Sequence, residues 1–198
     1  MPADSAELSV DLDEAVRLLA AVFDARRIRY ALVGGIAASM RGRPRFTQDV
    51  DVLLEVPQLS LPGLLEALAA NGFSLDESVV MRQFTQDHLT AFRYKTVRID
   101  WLKPILPLYA RTLADASLLP WKSGKPVRVA GVEGLILTKL AAFRTQDQLD
   151  IEMLLSANRE NKIDLELIRR EWSAVADGED ARSAWLAAAI ARTMPENS

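Results

Sequence analysis

The chain has 198 residues, a formal net charge of −3, and 49% hydrophobic against 26% charged residues, a balance that suits one substantial core or two small ones and argues against disorder. With no cysteine and a single histidine, His88, the chain excludes or poorly supports disulfide scaffolds, zinc fingers, thiol nucleophiles and Ser-His or Cys-His catalysis. No apolar run is long enough for a membrane span, and Met1-Pro2-Ala3-Asp4-Ser5 lacks the basic start and apolar stretch of a signal peptide, so a cytoplasmic location is expected.

Asp11 followed by Glu14 resembles a helix start, and Val16, Leu19, Ala20 and Phe23 recur at helical spacing, which predicts a helix over about 12–26. Ile28 to Val33 reads as a strand, Gly34-Gly35 as a turn, and Ile36 to Met40 as a short helix closed near Gly42. A second strand spans Asp49 to Val56 and stops at Pro57. Ser60 to Ala70 reads as a helix ended by Asn71-Gly72, followed by a β-rich stretch whose end, Leu89–Tyr94 and Val97–Leu102 around Lys95-Thr96, forms a hairpin. His88 reads as a strand or turn residue. From Val132 the pattern becomes helical, with segments near 132–144, 147–158, 164–176 and 180–193 and turns at Asn161-Lys162 and Asp177-Gly178. The expected fold is therefore α/β (α+β), a mixed sheet flanked by helices over residues 1–115, followed by a mainly helical bundle over 116–198 that contributes to the cleft.

Asp49 and Asp51 stand two apart on a strand, so both side chains share one face about 6.6 Å apart along the chain. A solvated edge strand explains such a pair. So does a seat for divalent cations, because an interposed cation reverses the repulsion, and Mg²⁺ takes few protein ligands and draws the rest from water and phosphates. Gly34-Gly35 lies between strand and helix, where backbone N–H groups can approach phosphate oxygens, although a tight turn accounts for the pair equally well. Arg98, Asp100 and Leu102 share one strand face, so Asp100 joins the acid pair if its strand lies alongside. Arg41, Arg43 and Arg45 form a basic cluster that suits a triphosphate or an RNA backbone, or else a solvated loop. Lys122, Lys125 and Arg128 form a second, weaker patch. Lys139 reads as a surface lysine on an amphipathic helix or, given Leu137, Leu140, Ala141 and Ala142, as a partly enclosed one.

The segment Ala31–Glu55, ALVGGIAASMRGRPRFTQDVDVLLE, resembles the glycine-turn and Asp-x-Asp signature of the polymerase-β-like nucleotidyltransferase superfamily, with Ile99-Asp100 in the place of its third acid. Glu133–Leu155, EGLILTKLAAFRTQDQLDIEMLL, resembles the helical Lys, Arg and Asp motif of the AbiEii/MenT-type branch, which supplies toxins of type IV-like toxin–antitoxin pairs. Many members carry Gly-Ser where this chain has Gly34-Gly35. The resemblance implies an enzyme that transfers NMP from an NTP with Mg²⁺ (or Mn²⁺), using Asp49, Asp51 and Asp100 as metal ligands, Asp100 also being a possible base. It implies nucleotide contacts from Gly34, Gly35, Arg45, Thr47 and Lys139, and a catalytic part for Lys139 and Asp150, with Asp147 the alternative carboxylate. In one uninterrupted helix Lys139 and Asp150 would stand about 16 Å apart. A turn near Thr145-Gln146 would bring them together. The implied acceptor is the 3′ end of tRNA, with Arg41, Arg43 and Arg45 holding RNA and an antitoxin protein as partner. The alternatives are transfer to a protein or small molecule, or a catalytically silent module of the same fold.

Overall fold

The computed structural model describes residues 3–194 apart from 123, 161–162 and 178–179, with side chains from residue 8 onward. The expected turn at Asn161-Lys162, and Gly178 of the second expected turn, lie outside the described residues. In chain order the elements are α1 (Ala3–Ala25), β1 (Arg29–Leu32), α2 (Gly34–Arg41), β2 (Asp49–Glu55), a single 3₁₀ turn (Gln58–Ser60), α3 (Leu61–Ala70), β3 (Phe73–Ser74), α4 (Glu77–Gln86), β4 (Leu89–Tyr94), β5 (Val97–Leu102), α5 (Pro107–Ala114), β6 (Ser117–Leu119), β7 (Val127–Val129), α6 (Val132–Ala142), α7 (Thr145–Ala157), α8 (Leu165–Ser173) and α9 (Ala181–Thr193). The strands form one mixed sheet in the order β3-β4-β5-β2-β1-β7-β6. The expected α/β architecture is therefore the observed one.

Alternation along β5 builds both faces of this sheet. Val97, Ile99 and Trp101 are buried, while Arg98, Asp100 and Leu102 face the other way and are exposed or half-buried. Trp101 is wholly buried against Phe23 of α1, Phe84 of α4 and Phe92 of β4, with ring centroids 5.9, 5.8 and 4.9 Å away. This aromatic layer fixes β4 and β5 from behind. The acid-bearing face is thereby left for chemistry.

Several elements depart from the sequence reading. Helix α1 begins at Ala3, and Asp11 and Glu14 do not cap it: Lys95 Nζ, at the tip of the β4–β5 hairpin, donates to Asp11 Oδ1 at 3.0 Å and to Glu14 Oε2 at 2.8 Å. The acids pin a hairpin rather than start a helix. Helix α4 replaces part of the β-rich stretch, because the Asp76 side chain accepts from Val79 N–H as an N-cap and Val80 and Phe84 bury one helical stripe, outweighing the β-branched residues. Strands β6 and β7 were not anticipated. The expected boundary near residue 115 falls just before this hairpin, and β7 joins the sheet by parallel pairing of Val129 with Leu32. No helix among the described residues is long and apolar enough to cross a membrane.

Candidate active site

The sheet register gathers the acids. Strands β2 and β5 run parallel with Asp51 opposite Asp100 and Asp49 opposite Arg98, so the three carboxylates share one face, as the alternation required. They line a cleft of about 720 Å³ together with Gly34, Gly35, Arg45, Thr47, Arg98, Lys139, Arg144, Gln146 and Asp147. Burial first, then Asp100 and Asp49, pushes the Asp51 carboxyl above its ordinary range, against the lowering effect of the Gly35 N–H and Lys139. Such a crowded, oxygen-only donor set fits Mg²⁺ or Mn²⁺, which would remove this penalty. Among the described residues no three acidic or histidine side chains form a ready metal cluster. Arg98 holds the third acid instead: its Nε lies 3.0 and 2.8 Å from the two Asp100 oxygens and its Nη2 lies 2.8 Å from Oδ1.

Two glycines line the cleft directly beside Asp51 and Thr47. Gly34 starts α2 with φ +62, and a Cβ there would collide with the Asp51 carboxylate. Gly34→Ala is therefore expected to destabilise the fold by more than about 1 kcal/mol and to displace Asp51, lowering any activity of the cleft. Thermal unfolding checks the first effect, and an unchanged melting temperature would contradict it. At Gly35 a Cβ would lie 2.7 Å from Thr47 Oγ1 and 3.0 Å from Arg45 Nη2. The Thr47 hydroxyl thus occupies the space that a serine side chain would fill in the Gly-Ser version of the turn.

Lys139 enters from α6 and is 5% exposed, against 2% for each of its partners Asp147 and Asp150. Its Nζ stands 2.5 Å from Asp150 Oδ2 and 3.3 Å from Asp147 Oδ1. The helix breaks at Phe143, which adopts the left-handed conformation (φ 51), so α7 folds back and brings these residues into contact. Arg45 Nη2 and Gln146 Nε2 also donate to Asp150, at 2.8 and 3.1 Å, while Arg144 Nε donates to Asp147 at 2.7 Å. Burial alone would raise both carboxyls, but Arg144 and Lys139 hold Asp147, and Arg45 and Lys139 hold Asp150, below the ordinary range. Three cations thus share two buried carboxylates. Asp150 does not line the cleft and touches it through Lys139, Arg45 and Gln146, which do.

The basic cluster is not gathered. Of Arg41, Arg43 and Arg45, only Arg45 lines the cleft. Arg41 pins α2 to β7 and β6, donating to the Ala130 and Val129 carbonyls at 3.0 and 3.2 Å and to Ser117 Oγ at 2.6 Å. The Arg43 backbone N–H meets the Met153 sulfur at 2.9 Å. The second patch disperses too, with Lys122 beside an apolar pocket and Arg128 beside Arg27 and Arg29 at the other end of β1. His88 occupies the turn before β4 with φ 63. Arg98 and Gln146 line the cleft without having been singled out for it. The i, i+2 spacing of Arg98 from Asp100 was the available signal for the first of them.

No family model matches the chain and no curated protein matches it, whereas solved structures do. The crystal structure of ANT(2″)-Ia in complex with adenylyl-2″-tobramycin superposes with a TM-score of 0.56 at 14% identity, over 89% of this chain and 98% of that one. The solution structure of the antibiotic-resistance factor ANT(2″)-Ia gives 0.53 at 15% identity, over 93% and 96%. An antigenic nucleotidyltransferase-like protein from Paracoccidioides brasiliensis gives 0.51 at 16%, over 91% and 94%. At such identities the likeness speaks for the architecture alone, and that architecture is the nucleotidyltransferase fold.

Proposed function

We propose that the chain transfers NMP from an NTP to an acceptor hydroxyl, in the cleft between the β2–β5 acids and the α6–α7 turn. One observation carries this reading: Asp49, Asp51 and Asp100 face the same cleft as the Gly34-Gly35 turn and Lys139. In this reading Asp49, Asp51 and Asp100 hold Mg²⁺ or Mn²⁺, which supplies Lewis-acid stabilisation of phosphoryl charge. The backbone N–H groups of the glycine turn, Thr47, Arg45 and Lys139 hold the triphosphate. The acceptor oxygen attacks the α-phosphorus, its bond to phosphorus forms as the bridge to the β-phosphate breaks, and pyrophosphate leaves with that electron pair. Asp100 or water takes the hydroxyl proton. Positioning and charge neutralisation carry the catalysis, with no covalent intermediate on the protein.

The acceptor in this proposal is the 3′-terminal hydroxyl of tRNA, and the role that of a cytoplasmic toxin restrained by an antitoxin protein, as the Glu133–Leu155 motif suggests. Periodate-oxidised tRNA, which lacks the terminal diol, is then expected to take up no label from NTP while intact tRNA does. Equal labelling of both would overturn the acceptor. A second reading, transfer to a small-molecule hydroxyl, is favoured by the match to ANT(2″)-Ia over 96% of that chain. Incubation of the protein with each α-labelled NTP, Mg²⁺ and separate RNA, protein and small-molecule pools distinguishes the two.

A further inference from the structure

Two like-charged pairs sit in register on the cleft face of the sheet. Asp51 lies opposite Asp100 across β2 and β5, and Arg93 lies opposite Arg98 across β4 and β5. Like charges placed directly opposite each other destabilise a sheet, and each pair is relieved by a ligand of the opposite sign. The acid pair has an evident partner in a divalent cation. Arg98 is relieved by Asp100 and by Asp49, which lies opposite it across β2 and β5, and this leaves Arg93, whose Nη1 donates to the Thr96 carbonyl at 3.0 Å, as the more open cation of the pair.

Beside the arginines lies an apolar shelf. On the same face Leu89 pairs with Leu102 and Ala91 with Asp100, so the small Ala91 leaves room next to the third acid. Leu89 is 60% exposed, and Ala91, Arg93 and Arg98 are exposed as well, leaving this part of the floor open to solvent. The strand order places β4 and β5 on one side of the β2 acids, and β1, which leads into the glycine turn, on the other. A triphosphate at the glycine turn and an anion at Arg93–Arg98 would therefore approach the acids from opposite sides, as in-line transfer requires.

We propose that the open floor of β4 and β5 is the acceptor seat, taking a phosphate at Arg93 and Arg98 and a flat, weakly polar group over Leu89, Ala91 and Leu102. A phosphate next to a flat ring is the chemistry of a nucleotide, and the seat suits the single-stranded end of an RNA chain. The assignment of this seat to the acceptor rests on the proposed transfer reaction, with the triphosphate at the glycine turn. Binding to the seat does not depend on turnover.

The test measures binding of a short 5′-fluorescein-labelled single-stranded RNA to the full-length protein by anisotropy, with no NTP present. Arg93→Glu is expected to weaken RNA binding about tenfold and to lower its salt slope by about one, with the affinity for a non-hydrolysable NTP held within about twofold. Arg93→Lys should recover most of the binding, and Leu89→Asp should weaken it as Arg93→Glu does. RNA affinity unchanged in both Arg93→Glu and Leu89→Asp, or NTP affinity falling as far as RNA affinity, overturns the seat. A free nucleoside 5′-monophosphate that competes as well as the oligonucleotide overturns RNA as its source. Intact RNA binding without transfer by the wild-type protein would count against the proposed reaction and leave the anion seat standing.

Discussion

Asp51→Asn is expected to lower nucleotidyl transfer by about a thousandfold or more, several kcal/mol of transition-state stabilisation, while leaving the protein as stable or more stable at neutral pH. The stability effect follows from the direction of the Asp51 shift. Its carboxyl is pushed up by burial first, then by Asp100 and Asp49. A raised folded value means that folding favours the protonated form, so its contribution is fully present below the ordinary carboxylate range and is lost as pH rises through the raised value. Asparagine never carries that charge. Relative to the wild type, the variant therefore gains melting temperature at pH 7 and gains none in acid below the ordinary range. Added Mg²⁺ should narrow the gap by stabilising only the wild type. Wild-type turnover by Asp51→Asn would remove the residue from the reaction, and a large loss of stability would make it structural.

Lys139→Ala is expected to abolish transfer and also to cost about 3–5 kcal/mol of stability, because it leaves two buried carboxylates short of a cation. Asp150 retains Arg45 and Gln146, and Asp147 retains Arg144, but Lys139 is the cation that joins them. Denaturant melts measure the cost, and activity must be read well below the variant's melting temperature. The double variant Lys139→Met, Asp150→Asn removes one charge of each sign. It should recover part of the stability and none of the activity. A loss of less than about 1 kcal/mol in Lys139→Ala would contradict the buried network, and retained transfer would exclude Lys139 from the reaction.

The parts of this protein that were legible in its sequence are those set by local period and spacing. Alternation placed Asp49 and Asp51 on one face and Arg98 with Asp100 on another single face. Strand pairing, which no local pattern dictates, then brought Asp51 opposite Asp100. The break between the helices expected near 132–144 and 147–158 was legible, but its seat at Phe143 rests on the left-handed conformation of a non-glycine residue, for which the residue type gives little warning. Helix α4 was masked by Val79 and Val80, whose β preference lost to the Asp76 cap and to burial of Phe84. Strands β6 and β7 were too short to show a period and exist as strands because the edge of β1 accepts β7, and β7 in turn pairs with β6. Partnership was the least legible property of all. Arg41, Arg43 and Arg45 look alike in the chain, yet Arg41 serves the backbone of β7 and Arg45 serves Asp150, a distinction made by residues roughly a hundred positions away.

The position of the transferred phosphorus tests the central claim most directly. The full-length protein is incubated with Mg²⁺, an acceptor pool and NTP labelled at either the α- or the γ-phosphate. Nucleotidyl transfer at the Asp49, Asp51 and Asp100 face predicts that α-label enters the acceptor, that γ-label leaves as pyrophosphate, and that both events disappear in Asp51→Asn. Entry of γ-label into the acceptor, or incorporation of α-label undiminished in Asp51→Asn, would contradict it.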